Sequence, residues 1–590
     1  MSNPEESETS AEASTGLQVD LFHADSERDV GDTNIKKFGF DVHPVVFPVS
    51  SAVIITVIAL TLLFPDRASA TYTTATSIVT GTFGWFLIGA INLFIITLAY
   101  FAVSKYGDIR IGGVEAEKEF SDFSWAAMLF SAGMGIGLMF FSVAEPMYFF
   151  DGVPPYFSGV EANTAAAAGV ALTQTFFHWG LHPWAIYGIV GLGLAFFSFN
   201  RGLPLTIRSI FWPLLGERIY GWPGHAIDVI AVFTTMFGLA SSLGFGVLQI
   251  NAGLSYIAGD LLGVATIPEA TWVQVVLIAG ITGIATASVA AGLEGGVKRL
   301  SNVNLVLMLG LLLFMLVVGP TVYLFNGFLS GLGGYVVNLP GLSFFTGTFS
   351  NGGSETASFM NAWTLFYWAW WAAWAPFVGM FIARISKGRT IREFVFGVLV
   401  IPSLFSFLWL STFGGSALFA QMNLGGGMLT ALSEQGQTIA MFEMFSYYPL
   451  TIVTSIAATL LVITFFVTSS DSGSLVIDHL TAGGKHNVPK SQRIFWALTE
   501  GAVASVLLIN GGLGALQSAA ISTGIIFYVV MVIMCYTVWQ GLQNEYRILS
   551  SDEFAEELDE LAQDDDVDIA GSNEAITGIT RDNDTTVSDD

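Results

Sequence analysis

Apolar positions along this chain gather into long runs, at about 44–64, 81–103, 124–150, 172–199, 222–255, 270–293, 303–327, 358–383, 393–420, 446–470, 491–511 and 514–541. Many reach the roughly 20 residues that a helix needs to cross the hydrocarbon of a bilayer. The pattern predicts an all-α polytopic membrane protein with twelve transmembrane helices. Its core covers 44–541, between polar tails at 1–43 and 542–590. The segment 328–357 is rich in Gly, Ser and Phe and too interrupted to span; it is expected to lie flat as an amphipathic surface helix. Beyond the last run, Leu549, Phe554, Leu558 and Leu561 suggest one more short amphipathic helix before the tail turns wholly polar at Asp564.

Composition agrees with the pattern. The chain is 53% hydrophobic and 12% charged, with a mean hydropathy of +0.64, whereas soluble domains carry about 25% charged residues. The single cysteine, Cys535, lies in an apolar run, which excludes a disulfide framework or a thiolate metal site. A polar, acidic N-terminus precedes the first run where a cleavable signal peptide would be apolar. The formal charge of −26 is concentrated at the ends: ten acids face three bases in 1–45, and fifteen face two in 546–590. Such tails are expected to be solvated and largely disordered. Lys and Arg sort by loop. Of 21, only Arg67 falls in the odd-numbered connections, so the positive-inside bias places both termini in the cytoplasm. Only Arg493, at the very start of the eleventh run, falls inside one.

The densest chemistry lies in Ala362–Trp374, AWTLFYWAWWAAW, with five of the fifteen tryptophans. On a helix Trp363, Tyr367, Trp370, Trp371 and Trp374 share one face, and only Trp368 points clearly away. An interfacial aromatic belt would sit at the end of a span, whereas this stripe fills the middle. Stacked ring faces there suit a weakly hydrated organic cation.

Two further runs carry unusual residues. The third contains SAGMGIGLMF, where Gly133, Gly135 and Gly137 weaken a helix and allow either close packing or an unwound midplane stretch with free backbone groups. The tenth contains FFVTSSDSGS, with Thr468, Ser469, Ser470, Asp471 and Ser472 in succession. Hydroxyls can bond back to their own helix, yet so many together also supply oxygen ligands for a hard cation such as sodium. In the fourth run, FHWGLHPWAIYG, His178 and His182 stand four residues apart. They could relay protons, but no Cys or carboxylate nearby in the sequence completes a metal set, and helix–helix hydrogen bonding is the expected role.

Taken together, WTLFYWAWW, GMGIG followed by LMF, and FHWGLHPW resemble the betaine/choline/carnitine transporter family over roughly residues 40–545. The resemblance implies two inverted five-helix repeats of LeuT-like type, about 124–327 and 358–541, preceded by two extra helices, and a homotrimer. It implies an aromatic substrate box of Trp179, Trp184, Tyr187 and Trp371, with Trp370, Trp374 and Phe366 on the same route beside Gly133, Gly135 and Gly137. It further implies a sodium site from the backbone of Ser131 and Met134, the Phe465 carbonyl and the hydroxyls of Thr468 and Ser469. A second sodium site would involve the residue matching Phe377, with Ser241 and Ser242 as candidates. Ala362 departs from the family, which usually has Gly, Ser, Asp or Asn there. Choline carriers tend to hold Asp where this chain has Gly137, which favours glycine betaine. Sodium-independent members place a basic side chain at the ion site, and the third and tenth runs here contain none. Osmosensing members use a basic C-terminal tail, unlike the acidic tail of this chain. The expectation is therefore a sodium-coupled symporter of a quaternary ammonium solute, with no cofactor beyond the ion. A proton-coupled choline carrier relaying through His178 or His182 and a transporter-like osmosensor are the alternatives. No nucleophile–base pair or metal set points to an enzyme.

Overall fold

In a computed structural model of the chain, residues 30–114, 116–133, 135–291, 298–485 and 487–551 are described. Met134, the predicted helix beyond Leu549 from residue 552 onward, and the first 29 residues lie outside that set. Helices dominate it. The first two, α1 (Val46–Leu63) and α2 (Pro65–Val103), precede a broken span made of α3 (Asp122–Gly133), α4 (Ile136–Phe141) and α5 (Ala144–Asp151). The fourth span is also broken, into α6 (Ala165–Trp179) and α7 (Leu181–Ala195). Next come α8 (Trp222–Ser255), α9 (Thr271–Ala291), α10 (Lys298–Val318) and α11 (Thr321–Ser343). The remainder is α12 (Gly353–Ala362), α13 (Thr364–Arg384), α14 (Ile391–Asn423), α15 (Thr451–Thr481) and α16 (Lys490–Leu549).

Eleven of these runs are long and apolar enough to cross a membrane. The last, α16, holds 60 residues and would be about 90 Å long if straight, three bilayer cores of about 30 Å. It bends at Gly511 and at Gly512, whose φ of +56° suits glycine. Counted on both sides of that bend, the crossings number twelve.

Prolines explain most of the breaks. Pro146 cannot donate to the carbonyl of Ser142, and the helix is interrupted at Ser142–Val143; Pro183 stands likewise four residues after Trp179, with the break at Gly180. Pro320 ends α10 at Val318. The seventh span thus stops nine residues before the expected 327, and α11 begins before the expected surface segment, packing across α6 and α14. The eighth span breaks at Trp363, with φ −121° and ψ −79°.

The packing has an internal symmetry. Span four (α7) packs on span eight (α13), and span nine (α14) packs on span three (α3 and α5). Exchanging spans three to seven for eight to twelve turns one pair into the other, and each set opens with a broken helix. Five crossings separate matching helices, so the repeats run in opposite directions, as the resemblance implied.

The stretch before α1 departs from the expected disordered tail. Ile35–Lys37 and Phe40–Val42 form an antiparallel hairpin. It is held by a 2.7 Å ion pair between Lys485 and Asp41, by Gln492 accepting from the Asp41 N–H, and by the Thr481 carbonyl accepting from the His43 N–H. Hydrogen bonds and ion pairs also join Arg201 to Glu545, Lys118 to Glu393, Arg389 to Asp122 and Arg392 to Asp108. The even-numbered connections therefore meet at one end of the molecule, the basic end.

Candidate functional site

A cavity of about 250 Å³ lies between the two broken spans and α7, α10 and α15. Its wall on α13 is Trp370, Trp371, Trp374, Phe377 and Phe381, a single helical face descending toward Arg384 at the basic end. In the other direction it stops at Trp370. There Phe366 stacks on Trp370 at 5.6 Å and 12°, and Phe141 packs on both.

The rings around the cavity stand at right angles to one another. Trp179 meets Trp371 at 4.8 Å and 77°, Tyr187 meets Trp371 at 6.3 Å and 82°, and Trp184 meets Tyr187 at 5.5 Å and 77°. Perpendicular planes present faces from several directions to one volume, the arrangement that surrounds a compact cation. Trp370 stacks behind Trp371 at 4.8 Å. Gly137 makes the approach possible: a Cβ there would come within 2.6 Å of Trp370 Cη2 and 3.2 Å of Trp179 Cη2. No Asp, Glu, Lys or Arg lines the cavity among the described residues. The Trp370 Nε1–H is buried and has no hydrogen-bond partner among them.

Toward the basic end the lining changes to hydroxyls. Ser131, Ser301, Thr468, Ser469 and Ser472 line it with the Phe465 backbone region, beside Asn304. Thr468 lies in the middle of α15, which runs to Thr481 rather than the expected 470. Its hydroxyl donates to the Thr464 carbonyl at 3.0 Å and accepts from Asn304 Nδ2 at 3.0 Å. Back-bonding and the cavity position thus hold at once, leaving one lone pair for a further ligand.

The structure brings together Ser131, Gly135, Gly137, Trp179, Trp184, Tyr187, Trp370, Trp371, Trp374, Phe465, Thr468 and Ser469. One expected residue stands apart. Phe366 is 1% exposed and serves as packing behind Trp370, because one helical turn places it above the cavity's closed end. Gly133 is the last residue of α3. Of the second set, Phe377 and Ser242 reach the cavity, and Ser242 accepts from Trp374 Nε1 at 3.0 Å. Ser241 is turned away, donating to the carbonyls of Phe237 and Leu516.

Both histidines are buried and outside the cavity lining. His182 meets Ser343 Oγ at 3.1 Å and stacks on Trp368 at 5.1 Å. His178 Nδ1 sits 2.7 Å from Glu145 Oε1. The carboxylate absent from the histidines' own run is therefore present in space, although no group of three or more metal-ligating side chains forms among the described residues. Glu145 also accepts from Trp179 Nε1 at 2.8 Å and from the Tyr367 hydroxyl at 2.6 Å. Sequence reasoning missed Glu145. Its signal was available, a carboxylate inside the apolar run 124–150, where an ionisable residue is costly and rarely idle.

Comparison with known proteins gives the family of the chain. Residues 45–547 match the family described as BCCT, betaine/carnitine/choline family transporter. A glycine betaine transporter of Vibrio parahaemolyticus is 45% identical over 89% of this chain and 99% of its own length. A glycine betaine/proline/choline transporter of the same organism is 42% identical, covering 89% and 95%. A glycine betaine transporter of Bacillus subtilis is 44% identical, covering 84% and 93%.

Proposed function

This chain belongs to the betaine/carnitine/choline family of transporters, a multi-pass membrane protein and not an enzyme, and from that premise we propose that it is a sodium-coupled symporter of a quaternary ammonium compatible solute, glycine betaine foremost. The observation that carries the reading is the cage of perpendicular rings, Trp179, Trp371, Tyr187 and Trp184, around a cavity lined, among the described residues, by no Asp, Glu, Lys or Arg. Ring faces attract a trimethylammonium head by roughly 0.5–2 kcal/mol each. A lone buried cation would still need a counter-charge. A betaine carries its own, and its carboxylate can accept from backbone N–H groups at the Gly135–Gly137 break, where Gly135 and Gly137 line the cavity. Choline lacks that carboxylate. Similarity to proteins named as glycine betaine transporters points the same way.

Sodium enters at the hydroxyl-lined end, held by backbone oxygens of the Ser131–Met134 stretch, the Phe465 carbonyl, Thr468 and Ser469, oxygen ligands that suit a hard cation. By bridging spans three and ten it favours one orientation of the cavity, so uptake follows the ion gradient by population shift. The basic end faces the cytoplasm across the inner membrane, with both termini inside, and the family resemblance adds a homotrimer. Proteoliposomes with the purified protein test the reading. Labelled betaine should accumulate only on an inward sodium gradient and compete with choline, carnitine and proline. Accumulation unchanged without sodium would overturn the coupling, and binding without accumulation would favour a sensor.

A further inference from the structure

Three helix breaks converge on one carboxylate that does not touch the cavity. Glu145 lies one turn past the interruption at Ser142–Val143 and is fully buried. Trp179 is the last residue before the break at Gly180, and Thr364 is the first after the break at Trp363. A helix that stops or restarts lacks the backbone ladder that fixes its end, so something else must set where these side chains point. Glu145 Oε2 accepts from Trp179 Nε1 at 2.8 Å and from the Tyr367 hydroxyl at 2.6 Å, while Oε1 lies 2.7 Å from His178 Nδ1. The other ring nitrogen of His178 is 3.0 Å from Thr364 Oγ1 and 3.1 Å from Gln174 Nε2. The backbone carbonyl of His178 in turn accepts from Trp371 Nε1 at 3.1 Å.

We propose that Glu145 is a positioning residue for the aromatic cage, fixing the ring plane of Trp179 directly and that of Trp371 through His178. The proposal rests on the reading that the cage receives a quaternary ammonium group. An indole turned about its χ2 exchanges face for edge, and the edge of a ring repels a cation where the face attracts it. Hydrogen bonds to a carboxylate are short and directional, and here two of them act on rings of opposite walls, Trp179 from α6 and Tyr367 from α13. Tyr367 stacks on Trp371 at 5.7 Å and 20°, so both perpendicular walls refer to the same two oxygen atoms. The Trp179 indole N–H donates to Glu145 Oε2 and also meets the Tyr367 hydroxyl, which itself donates to the same carboxylate, so Glu145 anchors both groups that hold the Trp179 plane.

Replacement separates positioning from general support. Glu145→Leu keeps the volume and removes every acceptor. Glu145→Gln keeps one carbonyl oxygen for Trp179 and Tyr367 and offers an N–H to a neutral His178, at the cost of the charge. Both variants and the wild type are purified, checked for wild-type thermal melting, and assayed for betaine uptake in proteoliposomes. Loss of ring alignment should raise KM for betaine by about tenfold or more in Glu145→Leu and by about threefold in Glu145→Gln, with the change in Vmax smaller than the change in KM. An unchanged KM in a folded Glu145→Leu overturns the proposal, as does a fall in Vmax with KM kept. If Glu145→Leu does not fold, Glu145→Gln decides by the same split. A wild-type protein that neither binds nor accumulates betaine or its competitors refutes the cage reading itself, a result distinct from a functioning wild type whose Glu145 variants behave normally.

Discussion

The two ends of the cavity are built from opposite materials. At the closed end, Phe141, Phe366, Tyr367 and His178 pack ring against ring, and the polar atoms of Glu145 are met by three donors. At the basic end the lining is Ser131, Ser301, Ser469 and Ser472, with Ser131 exposed. A surface of interlocked rings and charge-assisted bonds has one low-energy arrangement. A surface of short hydroxyls on separate helices can exchange its partners for water or an ion at little cost. The difference teaches where the molecule is set and where it is adjustable. On the proposed reading, substrate recognition sits against the rigid end, and ion exchange and opening belong to the loose one.

The largest expected effect breaks the rigid side. Trp371→Leu retains apolar bulk, removes a ring face from the cage and leaves the His178 carbonyl without its donor. At the upper end of a desolvated cation–π contact, about 2 kcal/mol, betaine affinity should fall about 30-fold, measured as binding to purified protein. Unchanged affinity would make the stripe packing and nothing more. Next comes the loose side. Thr468→Ala/Ser469→Ala removes two hydroxyl oxygens and almost no volume, so the protein should fold. The sodium concentration for half-maximal uptake should rise about tenfold, roughly 1.4 kcal/mol, while the betaine KM at saturating sodium stays near wild type. Wild-type sodium dependence in the double variant would leave these hydroxyls as back-bonded helix residues.

The same contrast governed what could be read from the sequence. The stripe on α13 was legible because helical periodicity and ring type are local properties, whereas Trp179, Trp184 and Tyr187 were named only through the family resemblance. The twelve crossings were legible because apolar length is a composition signal, and Pro320 moved only a boundary. Glu145 was not placed because its meaning depends on three helix ends meeting, which no local window contains. Phe366 was misassigned for the complementary reason: it shares the aromatic character of the route, yet one turn of helix puts it behind Trp370. Thr468 read as either a back-bonded or a ligating hydroxyl, and the fold keeps it back-bonded while placing it on the cavity wall. The N-terminal hairpin was hidden by the acidic composition of the tail around it. It gains stability against groups distant in the chain, among them Lys485, Gln492 and Ser491.

Gly137→Ala sharpens the comparison at the point where backbone meets cage. The added methyl would sit 2.6 Å from Trp370 and 3.2 Å from Trp179. On a flexible surface such a group is accommodated. Here Trp179 is tied to Glu145 and Trp370 is stacked between Phe366 and Trp371. Overpacking of this kind costs about 1–3 kcal/mol, and the lower figure corresponds to about a fivefold loss of betaine affinity. Binding at wild-type strength would show that the rings yield, and the rigid end would then be no firmer than the loose one.

The smallest effect lies outside both ends, at the hairpin that ties the segment before α1 to the loop between α15 and α16. Burial pushes the Asp41 carboxyl up, but hydrogen bonds from Lys485 and Asn34 and the charge of Lys485 outweigh it and hold the group below the usual carboxylate range. A carboxyl depressed in the folded state contributes stability that is complete above its unfolded value, near 3.9, and lost as pH falls through the folded value. Lys485 is 28% exposed, so solvent screening keeps the pair within the about 0–1 kcal/mol of surface ion pairs. Lys485→Met should therefore lower the melting temperature by no more than a few degrees at pH 7. Once the pH has fallen through the lowered folded-state value of Asp41 and the carboxyl is protonated, the difference should vanish. Betaine KM should not change, since neither residue touches the cavity. A pH-independent gap between Lys485→Met and wild type would mean that the lysine stem, and not its charge, holds the hairpin in place.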